Sequence, residues 1–256
     1  MTSDFPDRLR LDPTLDPAGL TGAFRRQGRL HLPGVLETGD AQALHRLLKA
    51  EEDWVSSTLS GDRAADLPVK ALAASGPDKP RTLIEAAHAE AVRALDTPGR
   101  LHFLFDALRI DTALIDGQPL AAPWRAVHDF LNGAAFLDFI RALTGDPRIA
   151  YVDSRATRFL PGHYLTQHDD SRAGQDRLYA YVLNLTPEWK TDWGGLLAFI
   201  DEDGHVAEAY APRMNALNLF AVPQAHAVTF VTPFARAPRY AITGWIRADT
   251  PAFPET

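Results

Sequence analysis

Residues 164–174 read YLTQHDDSRAG, and the histidine and two aspartates at their centre have a spacing that suits a metal ion. In an extended strand successive side chains alternate faces. His168 and Asp170 then project to one side, about 6.5 Å apart at Cα, with Asp169 opposite. An imidazole and a carboxylate placed that way can both reach one ion. The tripeptide alone is equally well an exposed strand end, since nine histidines and many aspartates make such a match unremarkable. A mononuclear iron centre of the facial type needs a second neutral imidazole, supplied from another strand, and keeps its opposite side open to substrate and oxygen. Two histidines follow. His205 adjoins the DEDG turn (201–204) and reads as a solvated hairpin residue. His226 opens the apolar run HAVTFV; it can supply the missing ligand, or it can be a core histidine bonded to backbone.

A third cationic group lies further on. In RYAITGWI (239–246) alternation puts Arg239, Ala241, Thr243 and Trp245 on one face. If that face is interior, a buried guanidinium needs an anionic partner, because an unpaired buried charge is very costly. A protein carboxylate could provide it, and so could a dicarboxylate ligand whose other end sits on a metal. If the face is exterior, Arg239 is a solvated strand start. Arg236, between Pro233 and Pro238, belongs to the preceding loop.

These residues need a scaffold, and the chain changes character near residue 150 to supply one. Before it, from ETGDAQALHRLLKAEEDWVSSTL (37–59) to FLDFIRALTGD (136–146), apolar residues recur at three and four, as in Ala41, Leu44, Leu47 and Leu48 or Phe136, Ile140 and Leu143. That is amphipathic-helix spacing, punctuated by Gly117, Gly133 and Gly145 as caps or turns. RLHLPGVL (29–36) alternates and reads as a strand. After residue 150 come VDSRATRFL, HYLTQHD, LYAYVLNL, GGLLAFID, HVAEAYA, NALNLFAV, HAVTFV and RYAITGWI, separated by turn formers. Seven or eight short strands without intervening helices predict an all-β sandwich or barrel. The fold class expected is therefore α+β, with the helices of residues 1–150 covering one outer face of the β core of residues 151–248. No linker separates the halves, so residues 1–256 read as one domain. The loops SRAGQDR (171–177) and TPEWKTDWGG (186–195) are the expected mouth of the site, with Trp189 and Trp193 either lining it or packing beneath it.

Composition narrows the function further. A formal net charge of −7 without a Lys/Arg cluster argues against a nucleic-acid partner. There is no cysteine, which excludes disulfides, thiolate metal sites and cysteine nucleophiles and leaves nitrogen and oxygen as metal ligands. The N-terminal MTSDFPDRLRLDP lacks the apolar core of a signal peptide, and no apolar run nears the ~20 residues that span a bilayer. A cytoplasmic protein without a membrane partner is the expectation.

FLPGHYLTQHDD, YVLNLTPEW, WGGLLAF, LFAVPQAHAV and RYAITGW, in that order, resemble the prolyl 4-hydroxylase-like branch of the 2-oxoglutarate- and Fe(II)-dependent dioxygenases. That branch includes the hypoxia-factor and ribosomal-protein prolyl hydroxylases. The match runs from about residue 150 to 248. It implies a double-stranded β-helix, a jelly roll of the cupin kind. It also implies Fe(II), 2-oxoglutarate as cosubstrate and O2, with ascorbate as a stimulant. On this resemblance His168, Asp170 and His226 are the iron ligands and the catalytic centre. Arg239 holds the distal carboxylate of 2-oxoglutarate with Thr243 beside it, and Leu197 lines that pocket. Many members carry a tyrosine where this chain has Phe159 and another where it has Val182; Tyr179 or Tyr181 are the candidates to replace them. The implied activity is hydroxylation of a C–H bond, of a prolyl residue in a protein or peptide, or alternatively of a free amino acid or small metabolite.

Two readings from other classes compete. A zinc hydrolase can use two histidines and a carboxylate, but the chain has no H-E-x-x-H. A non-catalytic metal- or ligand-binding β-sandwich has no reason to keep these residues in register. DEDGH lacks the closing glutamate of a calcium loop and reads as a turn.

Overall fold

The computed structural model describes residues 5–60, 63–94, 101–172, 174 and 176–252. Its helices all precede residue 150: α1 (Pro17–Gln27), α2 (Thr38–Ala50), α3 (Val69–Ala74), α4 (Lys79–Ala94), α5 (Ile110–Ile115), α6 (Ala122–Leu131) and α7 (Ala134–Thr144). Four strands are interspersed with them: β1 (Arg29–Pro33), β2 (Val55–Ser60), β3 (Arg63–Pro68) and β4 (Phe103–Arg109). The expected run of short strands follows. It comprises β5 (Tyr151–Val152), β6 (Arg155–Phe159), β7 (Tyr164–His168), β8 (Arg177–Asn184), β9 (Leu197–Ile200), β10 (Val206–Tyr210), β11 (Ala216–Ala221), β12 (His226–Val228) and β13 (Arg239–Arg247).

All thirteen strands join one antiparallel sheet, whose main order is β1-β11-β8-β13-β6-β4-β7-β12-β9-β10. The sheet folds over at β4, which pairs with β6 through Asp106–Arg109 and with β7 through Phe103 and Leu104. Its two ends approach each other through side chains. Arg29 on β1 donates from Nε to Glu208 on β10 at 2.7 Å, and the rings of His31 and Tyr210 are 5.0 Å apart. The result is a nearly closed barrel of the double-stranded β-helix type with helices on one outer face.

Central strands are apolar on both faces because both are covered. On β8, Ala180 and Val182 pack into the barrel with Leu197, Phe199, Phe220 and Ala241. Tyr181 and Leu183 point the other way and join Ile242, Ile246, Phe136, Ile140 and Leu143 under the helices. Helix α7 shows why its segment is helical. Its buried residues recur at three and four, and Gly145 closes it in the left-handed region (φ 74°), returning its N–H to the Arg141 carbonyl. Burying each of its large apolar side chains stabilises the fold by about 1.5–3 kcal/mol.

The first 150 residues are less purely helical than their spacing predicts. Within 37–59 only α2 is helical. Past Glu51–Glu52–Asp53 the serine-rich run VSSTLS, with β-branched Val55 and Thr58, becomes β2 and pairs with both β3 and β4. Strand β4 (FLFDALR) escaped notice because it is buried along most of its length and shows neither period. It is nevertheless the strand that closes the barrel.

Candidate metal and cosubstrate site

His168 ends β7, His226 opens β12, and the two are direct partners in the β7–β12 ladder. Asp170 is beyond the strand. It reaches the histidines through a left-handed residue, φ 64°, a conformation aspartate tolerates better than most side chains. Strand alternation therefore placed the right residues together by the wrong route; a turn aims the carboxylate, not the pleat. Asp170 Oδ1 lies 3.5 Å from His168 Nε2 and Oδ2 lies 3.4 Å from His226 Nε2. The imidazole centroids are 4.1 Å apart. One ligand atom from each of the three residues falls within 4.8 Å of the others, the one such cluster among the described residues.

The ring orientation is fixed from behind. His168 Nδ1 faces the Thr166 carbonyl at 2.9 Å, and His226 Nδ1 faces the Gln224 carbonyl at 2.8 Å. A carbonyl only accepts, so each Nδ1 carries the proton and each Nε2 presents a lone pair to the cluster. Burial, and then the neighbouring His168, push the pKa of His226 down to about 4, so it is a neutral ligand at neutral pH. Burial alone would raise the carboxyl of Asp170, but the facing imidazoles of His168 and His226, which attract it whenever they are protonated, hold it below the ordinary range. Two neutral nitrogens and one carboxylate oxygen are the donor set for Fe(II).

The triad stands between two spaces. An inner cavity of about 100 Å³ runs into the barrel. An outer cleft of about 580 Å³ opens past β4, α5 and the start of the 171–177 segment; Ala173 and Gln175 of that loop lie outside the described residues, as do residues 1–4 of the N-terminal stretch. Both spaces touch His168 and Asp170.

At the inner end is Arg239, 2% exposed, paired in register with Phe159 and with its guanidinium 5.0 Å from that ring. It forms no ion pair among the described residues, and its Nε has no acceptor. Burial lowers its pKa to about 10, which leaves it charged at neutral pH. Such a cation is stable only against an incoming anion, and a carboxylate fits the guanidinium fork. Gly195 (φ 62°) makes room, since a Cβ there would sit 3.0 Å from Trp189 Cζ2 and 3.4 Å from Arg239 Cδ. Thr243 lines the same cavity, and its hydroxyl makes no hydrogen bond among the described residues; Leu197 and Val182 form apolar wall. The residues present thus fit both an iron ion and a dicarboxylate.

Tyr181 is a correction. It borders the cavity, but its ring belongs to the helix-side core and its hydroxyl donates to the Asp153 carbonyl at 3.0 Å. Tyr179 turns away likewise, donating to Asp146 at 3.1 Å. Neither phenol replaces those missing at Phe159 and Val182. Thr157, two residues from each of Phe159 and Arg155 and so on the same inward face of β6, lines the cavity instead, with its hydroxyl 3.3 Å from the Ala241 carbonyl. The alternation of RATRF could have revealed Thr157 and Arg155 together. Trp189 and Trp193, in and around the turn Thr191–Trp193, line neither space. They pack on each other at 5.3 Å and against the cluster of Phe159 and Val231. His205 is exposed in the β9–β10 hairpin, where its N–H donates to Asp201.

Residues 154–247 match the sequence model of the 2OG-Fe(II) oxygenase superfamily. No curated protein matches the chain in sequence. Solved structures resemble it in fold. One is an oxidoreductase of the 2OG-Fe(II) oxygenase family from Burkholderia pseudomallei, at 12% identity and TM-score 0.60, covering 96% of this chain and 98% of that one. Another is a prolyl hydroxylase from Trichoplax adhaerens in complex with a peptide fragment of the hypoxia inducible factor oxygen degradation domain, at 15% identity and TM-score 0.56, covering 90% and 89%. A third is the non-heme alpha ketoglutarate dependent epimerase SnoN of nogalamycin biosynthesis, at 14% identity and TM-score 0.51, covering 91% and 84%. The segment carrying the triad and Arg239 is the part of the chain that matches that superfamily, and at this level the resemblance read from the sequence holds. Members of that superfamily use Fe(II), 2-oxoglutarate and O2. At these identities the neighbours define the fold alone. Among the described residues no helix is long and apolar enough to cross a membrane.

Proposed function

We propose that this chain is a 2-oxoglutarate- and Fe(II)-dependent dioxygenase that hydroxylates a C–H bond of a substrate seated in the outer cleft. The observation that carries the reading is one continuous arrangement: two imidazoles and a carboxylate at the cluster, then a cavity ending on a buried Arg239 with no ion pair among the described residues. His168, Asp170 and His226 hold the metal. Arg239 takes the distal carboxylate of 2-oxoglutarate, with the hydroxyl of Thr243 available to it and Thr157 and Leu197 shaping the wall. Bound there, iron with 2-oxoglutarate and O2 supplies the oxidising power, releasing succinate and carbon dioxide. The protein orients both reactants and excludes water from the barrel. Residues 1–256 act as one cytoplasmic dioxygenase domain in this reading.

A prolyl residue of a peptide is the first candidate substrate, on the pattern of motifs in residues 150–248 and the fold likeness to prolyl hydroxylases. A free amino acid or small metabolite is the second, favoured by the arginine-rich lining of the outer cleft. The experiment is succinate production by the Fe(II)-loaded protein, with and without prolyl peptides and free amino acids. Succinate above the uncoupled background with one of them supports the reading. A protein that binds Fe(II) but never consumes 2-oxoglutarate would instead be a non-catalytic binding module.

A further inference from the structure

Loaded as proposed, the inner cavity is electrically balanced: a divalent cation and Arg239 face Asp170 and the two carboxylates of 2-oxoglutarate. The outer cleft is not balanced by its own side chains. Arg109 is paired with Asp66 at 2.6 Å, and Arg247 is paired with Asp249. Asp111 is spent on the backbone and hydroxyl of Ser154, at 2.6 and 2.8 Å. Asp153 accepts the Trp245 N–H at 2.7 Å. Asp169 is exposed and accepts the Ser171 N–H, while Arg172 is exposed to solvent.

Arg155 and Arg177 remain. Neither forms an ion pair among the described residues. The Arg155 guanidinium lies 4.8 Å from the centroid of the Trp245 indole and makes no hydrogen bond. That of Arg177 lies 3.4 Å from the same centroid; it spends one donor on the Asp170 carbonyl at 3.0 Å, and its Nε is buried without an acceptor. Both residues line the outer cleft, and Arg155, Trp245, His168 and Asp170 also line the inner cavity. Two guanidiniums over one ring, beside the metal ligands, repel each other and lose hydration. The indole face offsets only part of that cost, so the arrangement awaits an anion.

We propose that Arg155 and Arg177 together receive an oxyanion of the primary substrate, so that the molecule hydroxylated is a small anionic compound anchored beside the triad. The proposal rests on the iron and 2-oxoglutarate reading above. Size agrees, since a cleft of about 580 Å³ is of small-ligand dimensions. The planar fork of arginine binds carboxylate and phosphate alike, so either group could be the anchor.

The test uses the full chain loaded with Mn(II) and 2-oxoglutarate, which allows binding without turnover. Calorimetry would compare the common L-amino acids with their amides, and O-phosphoserine with serine. The expected result is an anion that binds at least about tenfold more tightly than its neutral twin, with carboxylate or phosphate identified by which pair responds. Arg155→Gln and Arg177→Gln should each erase that preference, and Arg155→Lys should keep part of it. Thermal melting supplies the control for folding. Arg155→Gln gives up attraction to Asp153 and Asp170 but also removes the desolvated charge and its repulsion from Arg109 and Arg177, and it forfeits no hydrogen bond, so it should melt close to the wild type. A lower melting temperature would assign Arg155 a structural role and overturn the proposal. So would neutral twins that bind equally well, an absence of any anion binder, or a preference that survives both substitutions. If Mn(II) and 2-oxoglutarate themselves fail to bind the wild type, the reading of the inner site falls first. If they bind and no anion is preferred, only the present proposal falls.

Discussion

His168 and His226 are Cα partners across the β7–β12 ladder, and each turns Nδ1 to the backbone carbonyl two residues before it in sequence. The barrel thus presents two imidazoles held in the same way, their planes 51° apart, from positions 58 residues apart in sequence, with Asp170 swung in between them. Because both rings are held from the backbone, the cluster is organised before any ion arrives.

The first prediction follows from that arrangement. One Fe(II) or Mn(II) should bind per chain, measured by metal analysis after gel filtration. His168→Ala, Asp170→Ala or His226→Ala should each abolish 2-oxoglutarate turnover while leaving the far-ultraviolet circular dichroism unchanged. Full turnover in any of the three would remove the assignment of these ligands.

The second prediction separates two arginines. Arg239 is buried and unpaired at the end of the inner cavity, whereas Arg236 is exposed in the loop before β13. Hydrogen bonds to charged groups contribute about 1.5–3 kcal/mol, so Arg239→Ala should raise the apparent KM for 2-oxoglutarate at least about tenfold and leave iron affinity nearly unchanged. Arg236→Ala should alter neither. The reverse pattern in steady-state kinetics would place the anchor in the loop.

How much of this was legible in the sequence depends on the length scale of the signal. Helix α7 and strands β8 and β13 announced themselves because local periodicity and burial agree there. The pairing of His168 with His226 was reachable from motif order, since both stand at the ends of recognisable strands. The positive φ of Asp170 was invisible, because nothing local in HDD demands a turn rather than one more pleat. Strand β4 was missed because a strand covered along most of its length loses its alternation. Tyr181 was misassigned for a register reason: it pairs with Gly244, not with Thr243, and so looks toward the helices. Arg155 and Arg177 were missed because only the barrel brings β6, β8 and β13 together over Trp245.

A third prediction concerns Gly195. Its φ of 62° and the contacts a Cβ would make with Trp189, Val231 and Arg239 leave no room for a side chain. Gly195→Ala should strain this turn and crowd Trp189 and Val231 beside Arg239, raising the KM for 2-oxoglutarate with a smaller effect on metal binding. Unaltered cosubstrate kinetics would show that the anchor does not depend on this close approach.

The last prediction turns on Asp153, whose carboxylate sits behind the outer cleft. Burial raises its pKa from 3.8 to about 6, while the Trp245 N–H and the charge of Arg155 pull in the opposite direction without prevailing. Between those two pH values the unfolded chain has released a proton that the native protein still binds. Stability contributed by this group is therefore fully present below pH 3.8 and is lost as the pH rises through about 6. Above that, the native state carries a buried charge costing on the order of 3 kcal/mol or less. Asp153→Asn keeps an oxygen to accept from Trp245 and never ionises. Relative to the wild type it should gain stability from pH 4 upward, level off above pH 6, and show its largest advantage near pH 8. Urea unfolding at pH 4, 6 and 8 measures this directly. Curves for the two proteins that stay parallel across the range would show that Asp153 ionises in the native state as freely as in the unfolded chain.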